Sequence, residues 1–516
     1  MTINSNSLAA GVGAAVKNVQ FQGGATVLAR KIAIVGTFDP ALTGVTPNEP
    51  VLITSAADAG DKFGFGFMIH RLAQKAFIGS QGVETYVLPQ AETGSASAGQ
   101  IDFTAASVQA GTLSLYISGD LVSVAVPAAA SADDIVVACV AAINANNELP
   151  VTAAINATAN ILDLTSKSAG VFGDKIDISF NLGFGQALPS GVTAAITDMT
   201  GGAGVPDISD ALELGLGTGD IANELHITDL VHGYGLDTAT LDAISAYVGA
   251  GNDFTGLYTK TVARPFRALT GNVSAGSTGL NDLIAITDTR LLDRANGVIA
   301  VPGSQSHPSE IAAQALGVMA RINNGLAEQS TINELLSGIW AGNTADQWTA
   351  EYNNRDIAVK KGIGTTLLKN GVVTIQNLVT FYRPANVPVE SNGYRSMRNI
   401  SILQNVLNAV KQNFEQEKWQ GISIVADTNL VGGNSKRKAR DVGSVIDDLV
   451  ALANSFESNA WIFTASFTID GLRLPGAVSI RQGANGFDSV LQIILSGEGG
   501  ILDTVVEFDT SLAVLL

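Results

Sequence analysis

Hydrophobic residues in the first ninety positions follow two periodicities in turn. Residues 31–36 form a short β-branched run that ends at a glycine, which is typical of a buried strand. Beyond residue 64, Met68, Leu72 and Ala76 recur at helical spacing and fall on one face of a predicted helix. Residues 83–88 return to the pattern of a strand. A strand, a helix and a strand in this order predict an α/β layer.

The pattern changes to short alternating runs between about residues 95 and 205. Two of these runs flank a Gly-Asp turn at residues 119–120 and predict a hairpin with apolar positions Leu113, Leu115, Ile117, Val122, Val124 and Val126. A helix is predicted after the N-cap Ser131, with an apolar face of Ile135, Cys139 and Ile143. Further strands are predicted at residues 151–155, 161–165 and 175–182. These elements indicate a compact α+β insert with its own core.

The α/β pattern resumes after a glycine-rich link at residues 200–204. Predicted helices cover residues 238–249, 279–292 and 308–321, and predicted strands cover residues 254–258 and 297–301. We therefore predict one core domain that the insert interrupts. Asn370 and Gly371 lie between two apolar runs, which is a strong signal for a tight hairpin.

Long amphipathic helices are predicted after residue 390, at 394–416 and 440–456, with strands at 460–468, 474–481 and 488–495. Both ends of the chain alternate weakly and have no sequence neighbour to pair with, so we predict β-arms that pair with another subunit. The arm residues are Val16, Val19, Phe21, Val505, Val506, Phe508 and Leu512.

The predicted fold class is α/β and α+β multidomain. Its parts are an N-terminal arm at residues 1–25, a core α/β domain at 26–94 and 206–388, the inserted α+β domain at 95–205, an α+β C-terminal assembly domain at 389–500 and a C-terminal arm at 501–516. We expect the insert to lie on the outside of an assembly, joined to the core through flexible linkers.

Composition narrows the class of function. The chain has 516 residues, with 29 Lys and Arg against 47 Asp and Glu, a formal charge of -18 and a pI near 4.6. Nucleic acids and anionic membranes attract basic surfaces, so we expect neither as a partner. No apolar stretch is long enough to span a membrane and no secretory signal opens the chain, so we expect assembly in the cytoplasm. The lone Cys139 is interpreted as a small core residue.

Candidate catalytic groups are sparse. His307 follows Ser304 and Ser306, and a hydrolase on an α/β core would pair it with one of these serines and a carboxylate. The simpler interpretation is a loop that caps the helix starting near residue 309. No nucleophile elbow, zinc motif or phosphate loop is present, so we expect no enzyme activity, no metal and no cofactor.

One dense basic cluster stands out in this acidic chain. It consists of Lys436, Arg437, Lys438 and Arg440. A solvated loop before a helix explains such a run, and so does a contact with an acidic partner surface.

Several segments carry motifs that occur together in one protein family. Residues 53–78 combine a Ser/Ala-rich helix, an F-G-x-G turn and a second helix; residues 111–127 and 147–156 combine a G-T-L hairpin with a Leu-Pro-Val-Thr-Ala strand; residues 362–383 form a hairpin. Taken in order, they resemble the contractile tail sheath proteins of Mu-like myophages.

The resemblance implies a subtilisin-like α/β core without a catalytic triad. It also implies a structural subunit that stacks as hexameric rings around a tail tube and contracts, with the tube, baseplate and tail terminator proteins as partners and the virion tail as its location. Two other classes remain open: the Ser/His hydrolase, and a surface-layer or adhesin protein, which the Ala/Gly/Thr-rich and Lys-poor composition suggests.

Overall fold

The computed structural model describes most of the chain between residues 27 and 496. The described ranges are 27–217, 225–249, 255–260, 263–385, 393–424, 439–463, 468–469, 472–473, 478–482, 487–491 and 493–496. The predicted arm residues and residues 436–438 of the basic cluster lie outside these ranges.

Helices and strands alternate through most of the described part. The helices are α1 (Ala56–Phe63), α2 (Met68–Ser80), α3 (Ala132–Ala145), α4 (Thr238–Val248), α5 (Gly276–Asp288), α6 (Pro308–Gly325), α7 (Tyr352–Lys360), α8 (Met397–Phe414) and α9 (Val442–Ser458). The strands are β1 (Lys31–Thr37), β2 (Val51–Ile53), β3 (Glu84–Gln90), β4 (Ala96–Ala105), β5 (Gly111–Ile117), β6 (Asp120–Val126), β7 (Val151–Ile155), β8 (Ile161–Ala169), β9 (Ile178–Phe180), β10 (Val192–Thr200), β11 (Asp229–His232), β12 (Arg267–Asn272), β13 (Asn296–Ala300), β14 (Leu335–Leu336), β15 (Ile363–Lys369), β16 (Val372–Asn377), β17 (Ser423–Ile424), β18 (Ala439–Arg440), β19 (Thr468–Ile469), β20 (Leu472–Arg473), β21 (Val478–Gln482) and β22 (Phe487–Leu491).

The largest sheet has nine strands in the order β14-β16-β15-β13-β12-β11-β1-β3-β2. Its six middle strands run parallel, and its edge strands run antiparallel. Parallel strands are buried on both faces and therefore read as unbroken apolar runs, as in β1, where Ile32 to Val35 are fully buried. The chain order reverses at β1, because β3 lies on one side of it and β11 on the other. Such a reversal opens a crevice at the carboxyl ends of the strands.

Helices cover both faces of this sheet. On one face α2 and α6 pack so closely that a Cβ atom on Gly79 would lie 2.3 Å from the carbonyl oxygen of Gln314. Only glycine permits that approach. On the other face, Leu283 of α5 and Ala358 of α7 pack against Val298 of β13. The hairpin predicted at Asn370 is confirmed by the pairing of β15 with β16.

Residues 96–200 build two smaller sheets around a separate apolar core. Their strand orders are β10-β4-β8-β7 and β6-β5-β9. Helix α3 packs into this core after a capping box in which the Ser131 hydroxyl accepts from the backbone of Asp134 and the Asp134 carboxylate accepts from the backbone of Ser131. The predicted hairpin, the Ser131 cap and the buried position of Cys139 are confirmed.

Several predicted strands differ from the structure. Residues Gly256–Thr259 form a short 3-10 helix, so the strand predicted at 254–258 was wrong. The strand predicted at 175–182 shrinks to the three residues of β9, and in the described part of 460–468 only β19 begins, with an isolated bridge at Ile462. Conversely, β4 and β10 were not predicted, because Ala, Ser, Thr and Gly give too little contrast for alternation to show.

The C-terminal part packs as a further apolar cluster around Phe456 and Trp461. Helix α8 contributes Val406 and Ala409 to that cluster, whereas its first residue, Met397, belongs to the core of the main sheet. The described chain is thus a mixed α/β multidomain protein with several sheets. None of its described helices is long and apolar enough to cross a membrane.

Candidate functional site

A cleft of about 420 Å³ opens at the carboxyl ends of β11 and β12, where the insert meets the main sheet. Its walls are the loops at 233–237 and 271–274, the start of α6 at 307–309, the insert segment 171–175 and Val205. Open α/β sheets bind their ligands at this edge, so the cleft is the leading candidate for a ligand-binding or catalytic site.

His307 borders this cleft but is held as a structural group. Its Nε2 lies 3.0 Å from the carbonyl oxygen of Phe172, and its Nδ1 accepts the backbone N–H of Ser309 at 3.2 Å. Burial lowers the pKa of His307 to about 3, so the ring is neutral at ordinary pH. With Pro308 at the first helical position, His307 caps α6, which confirms the simpler interpretation of this loop.

The two serines beside it are engaged elsewhere. The Ser304 hydroxyl donates to the Trp340 carbonyl at 2.5 Å, and the Ser306 hydroxyl accepts the Trp340 N–H at 3.0 Å. Neither hydroxyl is bonded to the imidazole of His307, so the loop offers no nucleophile and base in contact. Within the described ranges, no group of three His, Cys, Asp or Glu side chains is arranged to hold a metal ion.

The seam between insert and core is centred on the buried Arg71 of α2. Its Nε bonds the Glu310 carboxylate at 2.8 Å, and its Nη1 lies 2.6 Å from Asp120, in the insert hairpin. Burial opposes the charge on Arg71, but the carboxylates of Glu310 and Asp120 outweigh it and raise the pKa of Arg71 above its ordinary value. Arg71 therefore joins α2, α6 and the insert.

Further contacts hold the insert against the core. The Trp340 indole N–H donates to the Gly119 carbonyl at 2.8 Å, and the Trp340 ring packs edge to face on Tyr116. Phe172, within the insert, packs against His307 with ring centroids 4.0 Å apart and the ring planes tilted by 30°, and it belongs to the core of the main sheet. The insert thus covers buried groups of the core.

The two connections to the insert are paired with each other. Ser95 and Ala203 exchange both backbone hydrogen bonds, at 2.9 and 3.2 Å. A Cβ atom on Gly94 would lie 1.6 Å from the Ala203 carbonyl oxygen, so the two segments touch at the backbone. The expectation of flexible linkers was wrong for these residues, because backbone pairing fixes them as a ribbon.

A second buried seam joins the main sheet to α8. Arg267 bonds Asp229 at 2.5 Å and the Ser401 hydroxyl at 2.7 Å, and all three side chains are fully buried. Arg30 donates to the Ser401 carbonyl at 3.1 Å. Burial and the charge of Arg267 lower the pKa of Arg30 to about 9, which still leaves it charged at neutral pH. The first half of α8 is therefore anchored in the core by charge-assisted bonds.

Of the basic cluster, the structure describes Arg440. Its guanidinium lies 5.6 Å from the ring centroid of Trp419, within cation–π range, and it precedes Asp441, which caps α9. The other predicted site residues lie outside the described ranges.

Sequence reasoning missed the residues that make both seams. Arg71, Glu310 and Arg267 each stand next to apolar residues of a predicted buried segment, and a charge in such a segment is the available signal. It also missed Phe184, whose side chain is 109% exposed in the loop between β9 and β10. A large aromatic residue between two glycines was the clue there.

Comparison with known proteins agrees with the resemblance found in the sequence. The chain is 30% identical over 224 residues to the Mu-like prophage FluMu tail sheath protein of Haemophilus influenzae, covering 42% of this chain and 45% of that protein. The chain thus spans about half the length of the curated relative that it matches. No family model matches.

Solved structures of sheath proteins also align along the chain. The sheath tail protein of Desulfitobacterium hafniense gives a TM-score of 0.42 at 11% identity, covering 94% of this chain and 100% of that one. The sheath tail protein Lin1278 of Listeria innocua gives 0.38 at 11% identity, with coverage of 92% and 94%. The contracted sheath of an extracellular contractile injection system gives 0.42 at 8% identity, with coverage of 98% and 99%. At these scores the structural likeness carries no argument of its own.

Proposed function

We propose that this chain is the structural subunit of a contractile tail sheath. The observation that carries the proposal is the 30% identity over 224 residues to the tail sheath protein of a Mu-like prophage. The motifs at residues 53–78, 111–127 and 362–383 resemble the same family. A structural role also suits a site in which the candidate serines and histidine are bonded to backbone groups.

In the proposed assembly, copies stack as hexameric rings around a tail tube and shorten to drive the tube through the host envelope. The partners are other copies, the tail tube protein, and the baseplate and tail terminator proteins. The assembled sheath belongs to the virion tail, and we place its assembly in the host cytoplasm. The net charge of -18 gives no reason to add a nucleic acid or a membrane to these partners.

The division of labour within the chain is part of the proposal. The interrupted domain at 26–94 and 206–388 is the subtilisin-like core, which the parallel centre of the nine-stranded sheet supports. The insert at 95–205 faces outward, and the domain at 389–500 receives the arms at 1–25 and 501–516 by strand pairing. The basic cluster at 436–440 contacts the tube or an acidic neighbour.

Negative-stain microscopy of the purified full chain tests the proposal. We expect tubes or stacked rings when the protein is concentrated, together with monomers or small oligomers when it is dilute. A chain that stays monomeric at every concentration and salt tested would contradict it. A hydrolase assay on generic esters serves as the control for the rival class, for which the geometry at His307 supplies no support.

A further inference from the structure

The aromatic side chain of Phe184 is fully exposed to solvent. It lies in the insert, between β9 and β10, and its side chain is 109% exposed, more than any other large hydrophobic residue in the described chain. Isolated exposed apolar residues are common on surfaces, but a fully exposed aromatic side chain is costly to hydrate and is typical of contact anchors.

The loop that carries Phe184 is held in one shape. The Gln186 side-chain oxygen accepts the Gly183 N–H at 2.8 Å and the Tyr116 hydroxyl at 2.9 Å. The backbone N–H of Gln186 returns to the Gly183 carbonyl at 3.2 Å. A pinned loop loses little conformational entropy when its tip binds, so Phe184 is preorganised for a contact.

The cleft beside His307 has the properties of a receiving pocket. Its 420 Å³ lies in the range of about 300–1,000 Å³ that is usual for binding pockets. Several of its lining residues are apolar or aromatic: Val171, Phe172, Val205, Tyr234, Leu236 and Val273. Because Phe184 is fully exposed, it does not occupy the cleft of its own chain.

We propose that Phe184 of one copy inserts into this cleft on the next copy of the same chain. A protruding group that fits a pocket elsewhere on the molecule makes a head-to-tail contact, and such contacts generate open helical polymers or rings. The inference rests on the proposed function, because it names one contact between copies of a polymerising subunit.

The charge of the loop that carries Phe184 favours a second copy as the occupant. Residues 181–191 contain no charged side chain, so this loop meets Asp174 and Asp237 of the cleft without like-charge repulsion, although the chain as a whole is strongly acidic. One aromatic side chain buries only about 150–250 Å². A stable isolated interface needs roughly 1,200–2,000 Å², so this contact acts within a polymer that other contacts also hold.

Disulfide trapping tests the contact directly. The native thiol does not interfere, because Cys139 is buried and burial raises its pKa to about 12. A Phe184→Cys chain is mixed with a Ser274→Cys chain, which places the second thiol in the cleft wall. Under mild oxidation at assembling concentration we expect a covalent heterodimer from the mixture and little from either chain alone. The matched control replaces Phe184→Cys with Val137→Cys, an exposed position on α3 of the same insert.

Assembly gives the second readout. Phe184→Ser should raise the critical concentration for tubes by roughly thirtyfold, the factor expected for losing a binding hot spot, whereas Val137→Ser should leave it unchanged. The inference is overturned, and the proposed function stands, if the unmodified chain forms tubes while Phe184→Ser assembles normally and no heterodimer forms. Homodimers of the Phe184→Cys chain alone would also overturn it, since they indicate a two-fold contact. Failure of the unmodified chain to form any polymer would overturn the proposed function itself.

Discussion

Replacing Arg71 by Met should strongly destabilise the seam between insert and core. The Arg71 and Glu310 side chains are 2% and 0% exposed, and their atoms Nε and Oε1 lie 2.8 Å apart. Arg71→Met keeps the aliphatic stem and removes the charge. Glu310 is then left with Lys75, whose Nζ is 4.0 Å from the carboxylate, as its nearest cation among the described residues.

The expected loss of unfolding free energy follows from the burial of this ion pair. Removing one partner of a buried ion pair leaves an uncompensated buried charge and costs about 3–5 kcal/mol of unfolding free energy. Replacing both partners by apolar groups of similar volume removes that charge, so Arg71→Met with Glu310→Leu should lie within about 2 kcal/mol of the parent. The bond from Arg71 to Asp120 adds less than the bond to Glu310, because the Asp120 side chain is 36% exposed and water screens its charge.

A double-mutant cycle measures the coupling. The four chains are compared by urea midpoint, and hydrogen exchange over α2 and α6 gives a local readout that does not depend on two-state unfolding of a multidomain chain. Lys62→Met is the matched control, because Lys62 pairs with Asp58 at the surface of α1 and should cost at most about 0.5 kcal/mol.

Two results would refute this reasoning. If Arg71→Met costs no more than Lys62→Met, the pair is not buried as described. If the double replacement is as unstable as the sum of the single ones, the cost arises from lost packing and not from an isolated charge.

Four further outcomes are expected. Burial lowers the folded-state pKa of His232 to about 4 and that of His307 to about 3, below the ordinary 6.5, so the unfolded state binds more protons as pH falls. Below pH 6.5 the unfolding free energy should drop by up to about 1.4 kcal/mol per pH unit for each of these two histidines. A flat urea-midpoint profile between pH 7 and 5 would contradict this. The Asn144 amide bonds both the N–H and the C=O of Ala153 on the outer edge of β7, at 2.9 and 2.8 Å. Asn144→Ala should leave these two backbone groups of the edge strand unpaired and therefore increase sedimenting oligomers of an assembly-deficient chain. A chain ending at Asp503 should keep its circular dichroism spectrum but form no tubes, and normal tubes would refute the arm proposal. Serine at the four basic positions of 436–440 should loosen the sheath from its tube in co-sedimentation without unfolding the subunit.

How far the sequence predicts this molecule depends on the kind of contact. Local rules sufficed where one residue type determines the backbone, as at the Ser131 cap and at the Asn370 turn. Periodicity sufficed for α2, because Met68, Leu72 and Ala76 recur at helical spacing and are all buried. Strands rich in Ala, Ser and Thr were not predicted, because small residues tolerate either face of a sheet and so show no alternation. The contacts of the candidate site could not be predicted at all, because nothing local in the sequence pairs Arg71 with Glu310, which lies 239 residues away.

These long-range seams change how the chain is understood as a set of domains. A composition shift near residue 95 suggests a detachable insert, yet Arg71, Trp340 and Phe172 connect that insert to the core through buried and half-buried contacts. The same holds for α8, whose first half is bonded to Arg267 beneath the main sheet. Buried polar seams tolerate little sliding, because a displaced charge is left without its partner. In the proposed sheath, rearrangement should therefore leave both seams intact and be taken up at contacts between copies. Hydrogen exchange that increases over α2 or the first half of α8 when the polymer shortens would contradict that expectation.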